Sequence, residues 1–342
     1  MGSRPYADRK TLLAILGSLT VAYAALVFLG GMTYAVLFPI LMRTMPTEVS
    51  GAYGAPFSNS MMFGYGLVMF GYGAALLAVG IGLIRARRWA RAMAHAGCWI
   101  CAVGIAAGLI YLPFLIPRLT SVITDPAFGG GEMAEGDATL VAAMMWGSTV
   151  ISVLMSLVIP VAGIVLLGSD SVRRTVFDRD PIPRWTDRLS TVALACGIVW
   201  LWGASYVPMM LPVLGSGLTV AIPVANTPAA VALALLGAAI AASIGWVTLR
   251  AQPFAWLANL AGVILAGTIA SIQLSRIDLV ELYLEMVASS IPESELGPMR
   301  EMLEALYGDT RMLVVPVVLF AMLAVGFLFW ARGRFVRKST VP

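Results

Sequence analysis

At the middle of none of its long apolar stretches does the chain place a lysine, arginine, aspartate or glutamate. An ionisable group at the centre of a bilayer costs about 2.5 to 3.5 kcal/mol on insertion scales and is retained there mainly for ion pathways, proton relays or voltage sensing. The absence therefore argues against a proton-driven pump or a cation channel. Cysteine is scarce as well: Cys98, Cys101 and Cys196 are too few for a disulfide framework, and all three fall within apolar stretches. Cys98 and Cys101 have the spacing of a thiol–disulfide centre, but redox chemistry needs an accessible thiolate, so both are read as small packing residues. His95 is the single histidine. One imidazole cannot build a histidine-rich metal site, and the expectation is a histidine at the interface or hydrogen-bonded between helices. No residue is assigned a catalytic, cofactor-binding or metal-ligating role.

What the chain does have is apolar surface. Hydrophobic residues make up 60% of the 342 positions, charged ones only 12%, and mean hydropathy is +0.89. Soluble domains carry about 25% charged residues. Hydrocarbon offers no water to exposed backbone groups, so each crossing must be a helix or part of a closed barrel, and runs this long and continuous are helices. A crossing needs about 20 residues at 1.5 Å each. Eight spans are predicted, at roughly 12–36, 61–84, 89–116, 140–167, 189–212, 228–249, 253–275 and 312–331. Tilt, or a break at Gly30-Gly31, would accommodate the long first span. Pro160, and Pro208 with Pro212, predict kinks in the fourth and fifth.

The loops then fix an orientation. Alternate connections, together with both termini, hold Arg4, Arg9, Lys10, Arg85, Arg87, Arg88, Arg91, Arg173, Arg174, Arg179, Arg184, Arg188, Arg250, Arg332, Arg334, Arg337 and Lys338. These are 17 of the 22 basic residues. The other connections hold Arg43, Arg118, Arg276, Arg300 and Arg311. The positive-inside rule places both termini in the cytoplasm of a bacterial inner membrane. Topology accounts for the net charge of +4, and the basic loops lack the interleaved aromatics of a nucleic-acid groove, so no nucleic-acid partner is expected.

The architecture repeats. Gly80 through Gly97 aligns on Gly245 through Gly262 at an offset of 165, with identical residues at Gly80, Arg85, Ala86, Ala90, Ala96 and Gly97. The expected fold is all-α, with a first four-helix half over 1–168, a charged linker over 169–188, and a second four-helix half over 189–342. With an even number of spans each, the halves would be parallel repeats. Within the second half, Met299, Met302, Leu303, Leu306 and Tyr307 share a helical face, and Gly297-Pro298 marks a start. An amphipathic helix is therefore predicted in the outer loop at about 278–309.

Asp180-Pro181-Ile182-Pro183-Arg184-Trp185-Thr186-Asp187-Arg188 is the most distinctive string. The prolines fix an extended approach, Thr186 or Asp187 is placed to cap the fifth span, and Trp185 suits the interface. With Arg276 through Tyr283, this string resembles bacterial multi-pass inner-membrane proteins that carry a similar linker between two hydrophobic halves. Those relatives often place Cys-Pro where this chain has Leu189-Ser190. The resemblance implies the architecture and no activity. The turn from Arg85 to Arg91 is explained by topology, with an anionic headgroup site as a minority reading.

Two functional classes follow. The first is a non-catalytic membrane subunit or scaffold. Beyond the lipid bilayer, its partner would be a protein or a second copy of the chain, bound through helix faces, the 169–188 linker or the outer helix. The second is a carrier or flippase for a neutral or amphiphilic molecule, sited between the halves, with Asn259, Gln273, Ser152, Ser156, Thr149, Thr248 and Tyr206 as candidates to line a neutral path. An enzyme ranks third, because carboxylates occur only in loops.

Overall fold

The computed structural model describes residues 8–38, 40–41, 59–124, 135–206, 227–276, 280–281, 284, 293–308 and 311–335. The described residues are helical, and seven of the helices are long and apolar enough to cross a membrane. In chain order the helices are α1 (Lys10–Met32), α2 (Asn59–Ile84), α3 (Arg88–Thr124), α4 (Glu135–Gly168), α5 (Asp170–Arg179), α6 (Thr191–Ser205), α7 (Thr227–Leu249), α8 (Ala255–Arg276), α9 (Glu293–Tyr307) and α10 (Arg311–Phe335). The predicted fifth span corresponds to α6, which is 15 residues long as described; the remainder of that prediction, with Pro208 and Pro212, lies outside the described residues.

The helices pair in order, α1 with α2, α3 with α4, α6 with α7 and α8 with α10, and α3 also touches α2, α6, α9 and α10. Small residues at seven-residue spacing set the first pair. Gly17, Ala24 and Gly31 on α1, and Gly66, Gly73 and Gly80 on α2, are all buried. A seven-residue repeat keeps one seam facing the partner, and small side chains let the backbones approach. A Cβ on Gly17 would lie 2.6 Å from the Gly80 carbonyl oxygen, and one on Gly66 would lie 2.9 Å from that of Gly31. This overturns the alternative of a break at Gly30-Gly31. The helix runs straight through, because Gly31 is needed for contact rather than for flexibility, and only afterwards widens into a π turn at Thr33–Leu37. α4 likewise continues as one helix through Pro160.

The turns after α2 and α7 are built alike. Ala86 donates its N–H to the Leu83 carbonyl at 2.9 Å, and Arg87 donates to Gly82 at 2.8 Å; Ala251 donates to Thr248 at 3.1 Å, and Gln252 to Val247 at 3.3 Å. Both are Schellman closures with alanine in the left-handed position, at φ of 51° for Ala86 and 52° for Ala251. An L-residue pays about 1 kcal/mol or more there, which glycine does not. Ala251 is exposed, so its methyl group contributes no packing. Ala251→Gly should therefore stabilise the chain by about 1 kcal/mol, read as a higher Tm in detergent.

The linker is ordered but not extended throughout. It opens with α5 and closes with a 3-10 turn at Trp185–Arg188. The cap of α6 is Ser190, whose hydroxyl accepts from the Ala193 N–H at 3.1 Å, and not Thr186 or Asp187. Asp187 instead caps the 3-10 turn, accepting from the Arg184 N–H at 2.9 Å. Once that turn intervenes, only Ser190 stands immediately before the first helical residue. After α8, α9 begins four residues ahead of Gly297-Pro298. Leu303 is buried against Val280 and Leu284, with Leu296 and Met299 beside them. The side chains of Leu306 and Tyr307 lie outside the described residues.

Candidate functional site

Two polar constellations stand out, one at the basic end of the bundle and one about three turns further along the helices. The first is organised by Asp180, whose side chain is 1% exposed. Its carboxylate accepts from Arg184 at 3.2 Å, from Arg87 at 3.4 Å and from the Arg88 backbone N–H at 3.2 Å. Burial alone would raise the Asp180 carboxyl, but the Arg184 and Arg88 hydrogen bonds and the Arg184 and Arg87 charges outweigh it and hold the group below its ordinary value. Arg88 lies flat on the Phe177 ring, 3.9 Å from the centroid, and reaches Asp187 at 3.4 Å. The basic turn predicted to serve topology is therefore also the docking surface of the linker. In the matching turn after α7, Gln252 and Pro253 stand where Arg87 and Arg88 stand in the first, so the charges that receive the linker occur in one turn only.

Nearby residues tie helices together. Asn259, 1% exposed, accepts from the Trp200 indole at 2.9 Å and donates to the Thr248 hydroxyl at 2.7 Å and to the Ala255 carbonyl at 2.8 Å. Both groups were candidates for a neutral path; both are consumed in this network and cannot line one. Ser156 bonds along its own helix, its hydroxyl donating to the Ser152 carbonyl at 2.7 Å. His95 sits between helices, with Nδ1 3.4 Å from the Thr191 hydroxyl and a ring hydrogen bond to the Ile164 backbone. Cys98 and Cys101 are unlinked thiols.

The second constellation lies among α1, α2, α3 and α6. Tyr72 and Trp202 stack almost parallel, with centroids 5.5 Å apart at 6°. Trp202 meets Tyr206 at 6.0 Å, and Tyr34 meets Tyr65 edge-on at 4.8 Å. Cys101, Tyr23 and Tyr206 lie within electrostatic reach of the Tyr72 hydroxyl, and Tyr34 and Tyr206 within reach of Tyr65. Tyr72 is 12 residues from the end of α2 and Trp202 is 11 from the start of α6. At 1.5 Å per residue both lie about 17 to 18 Å from the basic ends of their helices. The hydroxyls of Tyr72, Tyr65 and Tyr206 and the Trp202 indole N–H have no hydrogen-bond partner among the described residues. Sequence reasoning named Tyr206 alone. The seven-residue interval between Tyr65 and Tyr72 was the available signal, since it puts both on one face of α2.

No family model, no curated protein and no solved structure matches the chain.

Proposed function

We propose that this chain is a non-catalytic inner-membrane protein of eight spans in two tandem four-helix halves. In this reading both termini are cytoplasmic, and a neutral or amphiphilic molecule is carried between the halves. The observation that carries the reading is where packing is tight and where it is not. Buried clusters sit at the basic end, joining Leu13, Leu83, Ala90 and Val172 in one group and Ala96, Leu194, Leu260 and Phe335 in another, with a third under α9. Between them α1 and α2 stay in contact at Ala24 and Gly73, whereas α3 and α10 are little covered. No residue between Ala96 and Ile116 on α3 is buried, although six other helices touch this one along its length, and none is buried between Pro316 and Leu328 on α10. A Cβ on Gly97, Gly104 or Gly108 would meet nothing within 4 Å. Closed ends around an uncrowded middle suit a site at mid-depth between repeats.

The tandem arrangement is supported by the two Schellman turns, since Ala251 is Ala86 shifted by 165 positions. The matching helix pairs support it too, with Gly17 against Gly80 in one and Gly197 against Gly245 in the other. The scaffold reading is favoured by one feature, the exposed stripe of Met144, Ile151, Met155 and Ile159 on α4, which suits lipid or a partner helix.

Thiol accessibility separates the two. Cys101 on α3 and a cysteine at Met155 on α4 both lie 13 residues from the basic end of their helices. In membranes, with the other native cysteines replaced by alanine, a small water-soluble methanethiosulfonate should modify Cys101 and spare Met155→Cys. Equal inertness at the two positions would reject the carrier reading and leave the scaffold.

A further inference from the structure

We infer that the Tyr72–Trp202 junction is a binding site for a lipid-soluble quinone, a neutral flat-ring amphiphile with carbonyl oxygens. The inference rests on the carrier reading and names its ligand class. A phenol in hydrocarbon without a partner carries a desolvation penalty of a few kcal/mol, so groups of this kind are satisfied by protein, by water or by a ligand. Here the Tyr72 hydroxyl and the Trp202 indole N–H lie at similar distances along α2 and α6, with the Tyr206 hydroxyl at the end of α6 and that of Tyr65 two turns further along α2, none with a hydrogen-bond partner among the described residues. The lining is rich in donors and aromatic faces. A complementary ligand brings acceptors and a planar ring.

Charge narrows the class. No arginine, lysine or histidine stands among these residues, so a phosphate or carboxylate at this depth would lack a counter-ion and pay the full cost of burial. That disfavours phospholipid headgroups and free acids. A quinone carries two carbonyl acceptors on a neutral ring, which can accept from Tyr72 or Tyr206 and lie against the aromatic pair. Its tail needs an apolar path, which the open α3 surface at Gly104 and Gly108 provides. Binding alone is inferred, with no electron transfer.

The test uses the full chain in phosphatidylcholine nanodiscs and a short-tailed ubiquinone with a fully substituted ring. Saturable quenching of tryptophan fluorescence is expected, and it should largely disappear in Trp202→Phe. Tyr72→Phe should weaken binding about tenfold, the value of one hydrogen bond, while Trp246→Phe, beside Arg250 at the end of α7, should leave it unchanged. As a check free of site mutations, the quinone should slow modification of Cys101 in protein lacking the other two cysteines. Linear, unsaturable quenching that ignores Tyr72→Phe would overturn the inference, because the probe would then merely partition into lipid. So would equal protection of Cys101 by a short-chain diacylglycerol, which brings acceptors without a ring. If Cys101 reacts with the water-soluble reagent but the quinone gives no protection, the ligand class fails and the carrier reading stands. If Cys101 is inert to that reagent, the carrier reading itself has failed.

Discussion

Gly17→Ala is expected to lose about 2 to 3 kcal/mol of stability, while the matching Gly197→Ala loses only about 1 kcal/mol. The new methyl at position 17 would meet the Gly80 carbonyl oxygen at 2.6 Å and the Ile84 backbone nitrogen at 2.8 Å, so a helix must move to admit it. At position 197 the obstacles are Leu249 side-chain carbons at 2.6 and 2.7 Å, with the Gly245 carbonyl at 3.4 Å. A leucine end can rotate, but a backbone cannot. Thermal unfolding of both variants in the same detergent measures the difference. Equal losses would mean that α1 and α2 are not held by close backbone approach.

Asp180→Ala is expected to destabilise the chain by about 2 to 3 kcal/mol and to free the linker. Four N–H donors from three residues lose their acceptor, and hydrogen bonds to a charged group are worth about 1.5 to 3 kcal/mol each before the donors are rehydrated. Arg87 and Arg184 are 42% and 33% exposed, so water recovers part of their loss; the Arg88 N–H recovers least. Limited proteolysis between Asp180 and Arg188 should accelerate by an order of magnitude or more. The same carboxylate gives a pH signature. Its folded pKa lies below the ordinary value of 3.8. Its stabilisation is therefore complete above that value and is lost as pH falls from there through the lower folded pKa. Linker cleavage by an acid-active protease should rise only below about pH 4 in the wild type, and should be high and flat with pH in Asp180→Ala. A titration midpoint near pH 6 would exclude Asp180 as the group responsible.

The Asp180 prediction depends on contacts that periodicity cannot reach. Asp180 and Arg87 are 93 positions apart, and nothing in either local string says that one receives the other. The string from Asp180 to Arg188 identified an ordered linker. Its cap was misplaced because a 3-10 turn consumes Asp187 before the helix starts. The outer helix was legible in its apolar face, whereas its beginning was not, because a proline near a helix start is tolerated and does not mark the first turn. The small residues on α1 and α2 show the same limit. Their seven-residue spacing is visible in the chain, but only the crossing distinguishes a contact seam from a point of weakness at Gly30-Gly31.

The sequence by itself determined the solvent, the helical class and the concentration of basic residues on alternate loops. Each follows from local energetics: backbone groups in hydrocarbon must be bonded within their own segment, and charges must remain in water. Only the tertiary structure decided which polar groups are spent and which stay available. Asn259 and Thr248, candidates by type, are satisfied by Trp200 and Ala255. Tyr72, unremarked by type, is left with an aromatic neighbour and no acceptor among the described residues. A side chain's composition sets what it can bond, but its availability depends on which helices pack around it, and that pairing is non-local.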